Sequence, residues 1–305
     1  MRMLRCATST RLSRFPPMYD ILIAPFAEFD FMRRALVGML ALSLGGAPIG
    51  VFLMLRRMSL TGDAMAHAIL PGAALGFLVA GFNLFAMTAG GIVAGFAVAI
   101  GAGVVARVTE LKEDASLAAF YLVSLALGVL IVSLRGSNID LLHVLFGSVL
   151  ALDDDTLILL AAFATVTLLV LAITWRPLVL ECVDPGFLRS VSGTGAPVHI
   201  AFLALVVLNL VGGFHALGTL LAVGIMMLPA VVARFWAADL TRMIMVAVVV
   251  AFVSGYGGLL ISYHYGLPSG PAIILVAGAI YVVSLLLGPV GGLRRRFAPG
   301  RHLEA

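Results

Sequence analysis

A carboxylate and an imidazole lie four residues apart at the start of a segment that is otherwise lipid-soluble in character. After Asp63 and His67, no Asp, Glu, Lys or Arg occurs until Arg107. On a helix, residues i and i+4 share one face, so an oxygen and a nitrogen could bind one divalent cation. An Asp at membrane depth costs roughly 2.5–3.5 kcal/mol on insertion scales and therefore needs an ion, a cavity or a partner. We interpret the pair as part of a metal-translocation path; a polar pair that only fixes helix packing is the alternative.

The composition places this pair in a polytopic membrane protein. The 305 residues are 62% hydrophobic and 11% charged, and the mean hydropathy is +1.14. One compact core of this length could not bury so much apolar surface. Segments without charge, each long enough for one or two membrane helices of about 20 residues, occur at 35–55, 64–106, 115–134, 156–175, 190–233 and 243–293.

Three of these segments are too long for one span and must be hairpins. Glycine and proline interrupt the helical pattern at 81–83, 212–215 and 265–271. The sequence predicts an all-α membrane bundle of nine helices, or of eight if 190–233 forms one long, broken helix. Within the second segment, Gly91, Gly95, Ala99 and Gly103 form a stripe of small residues that another helix could approach closely.

The basic residues predict the orientation of the bundle. Twelve of them fall in alternate loops and the C-terminal tail, against only Arg135 in the opposite loops. By the positive-inside rule, the former set is cytoplasmic. Nine spans would put the N-terminus outside, which Arg33 and Arg34 do not favour. The net charge of +4 reflects this loop asymmetry and gives no reason to expect a nucleic-acid partner.

The N-terminal region differs from the rest of the chain. Residues 1–17 contain four arginines but no apolar core of signal-peptide length, which suggests a mis-called start with Met18 as the initiator. Residues 19–32 are typical of a short interfacial helix. The expected organisation is a tail and interfacial segment over 1–33, a transmembrane domain over 34–290 and a basic cytoplasmic tail over 291–305.

The chain lacks the residues of an ordinary P-loop ATPase. Its single lysine, Lys112, is not preceded by glycine or followed by Ser or Thr. A polar stretch over about 181–193 instead predicts a short amphipathic cytoplasmic helix. Such a helix could dock on a separate ATPase or could simply be a solvated surface helix. The residues of this stretch that are candidates for contact with the ATPase are Glu181, Asp184, Phe187, Leu188 and Arg189.

Three histidines outside the first pair are further candidate ligands. His143 follows Asp140 by three residues and could guide an incoming cation or form local hydrogen bonds in a re-entrant helix. His215 and His264 lie at the outer ends of two predicted hairpins. Asp153 and the two aspartates after it are best explained as a helix cap, with attraction of cations as the alternative.

A family resemblance follows from the order of seven motifs. They are 31–36, 50–57, 62–68, 145–147, 184–187, 218–230 and 267–271. In this order and spacing, the chain from Met18 to about Gly288 resembles the membrane permeases of zinc and manganese ABC importers. The resemblance implies a homodimer in the bacterial inner membrane, two cytoplasmic ATP-binding subunits and an extracytoplasmic metal-binding protein. It also implies that Asp63 and His67 line the metal path and that 181–193 is the coupling helix.

The donor types leave the transported metal open. One Asp and one His per chain form an incomplete shell, which permits release of the ion. We favour zinc because His143, His215 and His264 add nitrogen donors on the predicted outer surface; manganese and iron remain alternatives. No permanently bound cofactor is expected. A stand-alone secondary metal carrier is the second class of function, whereas an intramembrane metalloprotease is disfavoured because no His-Glu-x-x-His motif occurs.

Overall fold

The computed structural model describes residues 17–81, 83–111, 113–134, 152–184, 187–188 and 195–293. These ranges contain helices and no strand, as predicted. The helices are α1 Pro17–Leu22, α2 Ala24–Glu28, α3 Asp30–Leu55, α4 Ser59–Ala68, α5 Leu70–Ala80, α6 Leu84–Val108, α7 Glu113–Leu134, α8 Asp154–Val183, α9 Gly195–Leu217, α10 Thr219–Trp236, α11 Leu240–Tyr265 and α12 Ser269–Leu287.

Eight segments of the described chain are long and apolar enough to cross a membrane. They are α3, the combined α4 and α5 from Leu60 to Ala80, α6, α8, α9, α10, α11 and α12. A ninth helix, α7, contains the shorter apolar segment Ala115–Ile131. The all-α membrane bundle of eight or nine helices predicted from the sequence is therefore confirmed.

Two of the three predicted hairpin breaks are at the expected positions. The break at 81–83 contains Gly81 with a φ of 67°, and Asn83 caps α6 by accepting from the amides of Phe85 and Ala86. The break at 265–271 begins at Gly266 with a φ of 63°. In both places, glycine has a positive φ, which other residues rarely adopt.

The predicted break at 212–215 is wrong by several residues. α9 continues to Leu217, and the chain turns at Gly218, whose φ is 80°. Gly213 lies inside α9, and its role is in packing. A Cβ there would lie 2.7 Å from the Cβ of Ala222, so glycine allows α9 to approach α10 closely. Since α9 and α10 are separate helices, 190–233 does not form one long span.

The span formed by α4 and α5 is interrupted near the middle. Ile69 separates the two helices, and Pro71 has no N–H to donate to the carbonyl of His67, its usual helical partner. The hydroxyl of Ser124 on α7 donates to the neighbouring carbonyl of Ala68 at 3.0 Å. α7 therefore supplies a hydrogen bond at the point where the helix is broken.

Small residues set the closest helix contacts. The predicted stripe on α6 is confirmed in part, because a Cβ on Gly91 would lie 2.8 Å from Ile69 and one on Gly95 would lie 2.7 Å from Val207. Gly103, at the end of the stripe, has no neighbouring atom within 4 Å of the corresponding position. The stripe thus packs on α9 and the α4–α5 junction only along its first turns.

Contacts between helix termini define the two ends of the bundle. Arg34 and Asp154 pair at 3.2 Å, so α3 and α8 begin at the same end. The hydroxyl of Tyr256 donates to the carbonyl of Leu22 at 2.8 Å, which places α1 beside the last third of α11. The last turns of α3 and α8 meet at the other end. The helix ends therefore alternate between the two ends of the bundle as the predicted loops require. α1 and α2 lie at the end opposite the loop that contains Arg56 and Arg57.

The predicted cap on α8 is confirmed at Asp153. Its Oδ1 accepts a hydrogen bond from the amide of Thr156 at 3.1 Å. Hydrogen bonds from the side chain and backbone of Thr156 lower the pKa of Asp153. The carboxylate therefore stabilises the helix start at pH values above its ordinary pKa, and this contribution is lost as the pH falls through the lowered value.

Two glycine-to-alanine substitutions test how strongly the bundle depends on close contacts. A Cβ on Gly50 would overlap the carbonyl of Met226 on α10, so Gly50→Ala should lower the stability by about 1–3 kcal/mol through overpacking. Gly103→Ala is the matched control, because its Cβ enters open space. The measurement is thermal unfolding in detergent. Equal midpoints for the two variants would contradict the close α3–α10 contact.

Candidate metal path

α4 carries both predicted ligands and lies against α6, α7, α9 and α10. Most of its surface is buried, including Met65 and Ala66 between the two ligands. The exceptions among its described side chains are Asp63 and His67, with exposed fractions of 62% and 26%, and Leu60 at 75%. One face of an otherwise enclosed helix is therefore open, and that face holds the carboxylate and the imidazole.

The spacing of the two ligands suits a shared cation. His67 Nε2 lies 3.8 Å from Asp63 Oδ1, longer than a hydrogen bond. Two donors bound to one metal through bonds of roughly 2.0–2.2 Å can be separated by up to about 4 Å. The pair could hold one ion without a large movement, and among the described residues no third candidate ligand joins it.

Tyr121 on α7 lies beside the imidazole ring of His67. The rings of His67 and Tyr121 are stacked with centroids 6.1 Å apart and an interplanar angle of 29°. Within the described residues, His67 Nδ1 is buried and has no hydrogen-bond partner. Both ring nitrogens are thus without a close protein donor or acceptor, and the ring orientation depends on packing. Sequence reasoning missed Tyr121, since nothing in an apolar segment distinguishes this tyrosine from a lipid-facing one.

The other predicted ligands do not join this pair in the described part of the chain. His264 is at the end of α11, where its Nδ1 is 2.9 Å from the carbonyl of Leu260. His215 belongs to α9, but its side chain lies outside the described residues, as do His143 and Asp140. No cluster of three or more metal-binding side chains occurs among the described residues.

The predicted coupling segment is described only at its beginning. Asp184 ends α8, and its Oδ1 accepts a hydrogen bond from the amide of Phe187 at 2.9 Å. The Phe187 ring is exposed, whereas Leu188 is buried. This inside–outside difference agrees with an amphipathic turn, but Arg189 and the rest of the segment lie outside the described residues.

Glu181 has a different position from the one expected. α8 continues to Val183, so the short helix does not begin at Glu181 as the sequence suggested. The Glu181 carboxylate is buried and pairs with Arg56 Nη2 at 3.0 Å. Sequence reasoning took Glu181 for a surface acid because Pro185 and polar residues follow it, and gave Arg56 and His199 no part in a site. Arg56 contacts Glu181 and His199 across 125 and 143 positions of sequence, so no local sequence pattern could indicate these contacts.

Comparison with known proteins identifies the family of this helical membrane bundle. Residues 28–288 match the ABC 3 transport family, so the chain belongs to that family. It is 32% identical over 266 residues to the "Manganese transport system membrane protein MntC" of Listeria innocua, covering 87% of this chain and 94% of the relative. It is 29% identical over 286 residues to the "Chelated iron transport system membrane protein YfeD" of Yersinia pestis, covering 92% and 94%.

A solved structure agrees with the same assignment. The structure described as PsaBC from Streptococcus pneumoniae in complex with Fab superimposes with a TM-score of 0.79 at 28% identity. The match covers 88% of this chain and 96% of that one. The family of metal ABC-transporter permeases predicted from the motifs is therefore confirmed.

Two substitutions of Tyr121 test whether stacking orients the imidazole. Tyr121→Phe keeps the ring and should bind metal like the wild type. Tyr121→Ala should weaken metal binding by about tenfold, since loss of a group that orients a ligand typically costs 10–100-fold. The measurement is titration of the purified permease with Mn²⁺. Similar affinities for both variants would show that Tyr121 only fills space.

Proposed function

We propose that this chain is the membrane permease subunit of an ATP-driven importer of a divalent transition metal. The observation that carries the proposal is the pairing of Asp63 and His67 at 3.8 Å on the open face of α4. Membership of the ABC 3 transport family supplies the context. Neither ligand alone would distinguish a metal path from a polar residue that fixes helix packing.

The depth of the pair supports a path through the membrane. A helix advances 1.5 Å per residue, so His67 lies about 12 Å along α4 from Ser59, well inside a hydrocarbon core of about 30 Å. Asp63 lies about 6 Å along α4 from Ser59, inside the span that begins at Leu60, and an exposed carboxylate there is costly against lipid. We infer that a second copy of the chain covers this face, and that two carboxylates and two imidazoles surround one ion in a homodimer.

The energy for transport must come from other subunits in this proposal. The sequence has no P-loop lysine, whereas the turn at Asp184 and Phe187 presents an exposed aromatic ring beside a buried leucine. Two cytoplasmic ATP-binding subunits would dock there, and an extracytoplasmic protein would deliver the metal. The complex would reside in the bacterial inner membrane.

Manganese is our preferred substrate, with zinc as the second candidate. Relatives are named for manganese or chelated iron transport, and a carboxylate with water ligands suits manganese. The imidazole of His67 keeps zinc in consideration, because zinc accepts nitrogen donors well. The case for zinc from additional outer histidines stays a prediction, because the side chains of His143 and His215 lie outside the described residues and the contact of His264 with its own helix involves Nδ1 and not Nε2.

Removal of either ligand tests the path. Asp63→Asn removes the charge that offsets the cation, and His67→Ala removes the nitrogen donor, so ATP-dependent metal uptake should fall by at least about tenfold in each, equivalent to roughly 1.4 kcal/mol. Folding should change little, because an uncompensated charge is costly without its ion. Glu110→Gln, at an exposed carboxylate just after α6, is the control. The measurement is Mn²⁺ uptake into liposomes by the assembled complex, together with thermal stability of the permease.

Wild-type uptake in both Asp63→Asn and His67→Ala would refute the site assignment. Loss of uptake together with general unfolding would favour the packing role instead. Uptake by the wild-type permease without ATP-binding subunits would favour the secondary-carrier alternative.

Exchange of the nitrogen donor for oxygen tests the metal preference. His67→Asp should reduce zinc uptake more than manganese uptake, because oxygen donors suit manganese better than zinc. The measurement is uptake of each metal by wild-type and variant complexes under identical conditions. If the wild-type complex takes up zinc but not manganese, zinc and not manganese is the substrate.

A further inference from the structure

A buried ionic cluster lies at the end of the bundle where α3 and α8 finish, outside the metal path. Arg56 Nη2 is 3.0 Å from Glu181 Oε1 and 2.6 Å from His199 Nδ1. The side chains of Arg56, Glu181 and His199 are only 11%, 9% and 16% exposed. The guanidinium also lies over the ring of Phe202, with Cζ 5.0 Å from the centroid. Three helices therefore share one enclosed charge pair.

The hydrogen bonding within the cluster is incomplete. Arginine has donors only, so a hydrogen bond between Arg56 and Nδ1 of His199 requires that nitrogen to be the acceptor. Within the described residues, Arg56 Nη1 and Glu181 Oε2 are buried without a partner. An arginine–carboxylate pair usually forms two parallel bonds. Here Nη2 of Arg56 contacts both Glu181 Oε1 and His199 Nδ1. A rotation of the guanidinium that pairs Nη1 with Oε2 would give the carboxylate its second bond and remove the histidine contact.

The position of Arg56 connects this cluster to the helix that carries the proposed ligands. Arg56 is the C-cap of α3, and α4 begins three residues later at Ser59. The intervening Arg57 has a φ of 59°, the one positive φ among the described non-glycine residues. α4 is thus a ten-residue helix with this sharp turn at one end and the interruption before Pro71 at the other. Such a segment can tilt without unwinding either neighbouring helix.

The positions of Glu181 and His199 connect the cluster to the proposed docking segment. Glu181 lies one turn before Asp184, which caps the turn at Phe187. His199 lies in the second turn of α9, the next described helix after that segment. Movement of Asp184 and Phe187 would therefore displace the carboxylate that holds Arg56.

We propose that the Arg56–Glu181–His199 cluster transmits movement of the docking segment to α4, and so changes access to the pair formed by Asp63 and His67. The three side chains are positioning residues and do not contact the ion. This inference rests on the proposed function. Its physical content is that the cluster has two hydrogen-bonding arrangements, and that docking and ATP hydrolysis by the partner subunits change their balance.

The test compares transport with ATP hydrolysis in the full complex. Glu181→Gln keeps the shape of the side chain but removes the charge that holds Arg56. In liposomes containing the permease, the ATP-binding subunits and the metal-binding protein, the Mn²⁺ imported per ATP hydrolysed should fall at least about tenfold. Assembly, ATP hydrolysis and Mn²⁺ binding by the permease should persist. A purely structural role would instead lower assembly and both activities in proportion.

A double substitution guards against misfolding caused by an unpaired buried charge. Replacing both partners of a buried ion pair with apolar residues is often tolerated, whereas removing one partner often is not. Arg56→Met with Glu181→Met should therefore assemble but remain uncoupled. Arg242→Met with Asp239→Met is the control, because that exposed pair at the start of α11 has a similar contact of 3.4 Å.

The outcomes separate this inference from the proposed function. Wild-type amounts of Mn²⁺ per ATP in the double variant would overturn the link and leave the permease function intact. Failure of the double variant to assemble would also overturn it, because the cluster would then be structural. Absence of ATP-driven uptake by the wild-type complex would refute the proposed function itself.

Discussion

The absence of water in the hydrocarbon core is the constraint on which this structure depends. Every backbone N–H and C=O at that depth needs a partner within the protein, so a membrane-spanning chain without a closed barrel must be helical. Polar side chains follow the same requirement: the hydroxyls of Ser43, Thr165 and Thr174 each donate to the carbonyl four residues earlier on their own helix. Against this background, the exposed carboxylate of Asp63 and the buried His67 Nδ1, which has no partner in the part of the chain that the structure describes, stand out.

The same constraint explains why the positions of glycine, and not of hydrophobic residues, determine where the helices pack most closely. Lipid tails are as apolar as leucine, so helices associate through close packing and interhelical hydrogen bonds. α5 and α6 meet at Gly72 and Gly90, where a Cβ on either residue would overlap the carbonyl of the other. The amide of Asn209 supplies the hydrogen-bonding counterpart, donating to Thr167 on α8 at 2.7 Å. Packing of this kind holds α5 firmly on α6, while α4, beyond the interruption, contacts several helices without such glycine pairs.

The sequence predicted the features that depend on local composition. Uncharged segments identified the spans, and glycines in the sequence marked two of the hairpin turns. The spacing of Asp63 and His67 placed both residues on one face of a helix. The failure at 212–215 has a physical reason: glycine serves both for turns and for close packing, and only the tertiary structure distinguishes Gly213 from Gly218. Tyr121 and the Arg56–Glu181 pair were not predictable, because their roles arise from contacts between helices far apart in sequence.

The glycine contact between α5 and α6 also limits how this protein can change over evolutionary time. No side chain can be added at Gly72 or Gly90 without separating two backbones, so those two positions offer almost no neutral variation. The open face of α4 has no such restriction, and a substitution there would alter the proposed donor set while the supporting hairpin stays as it is. A lineage could therefore acquire a different metal preference through one or two changes on a single short helix, with the rest of the scaffold inherited unchanged.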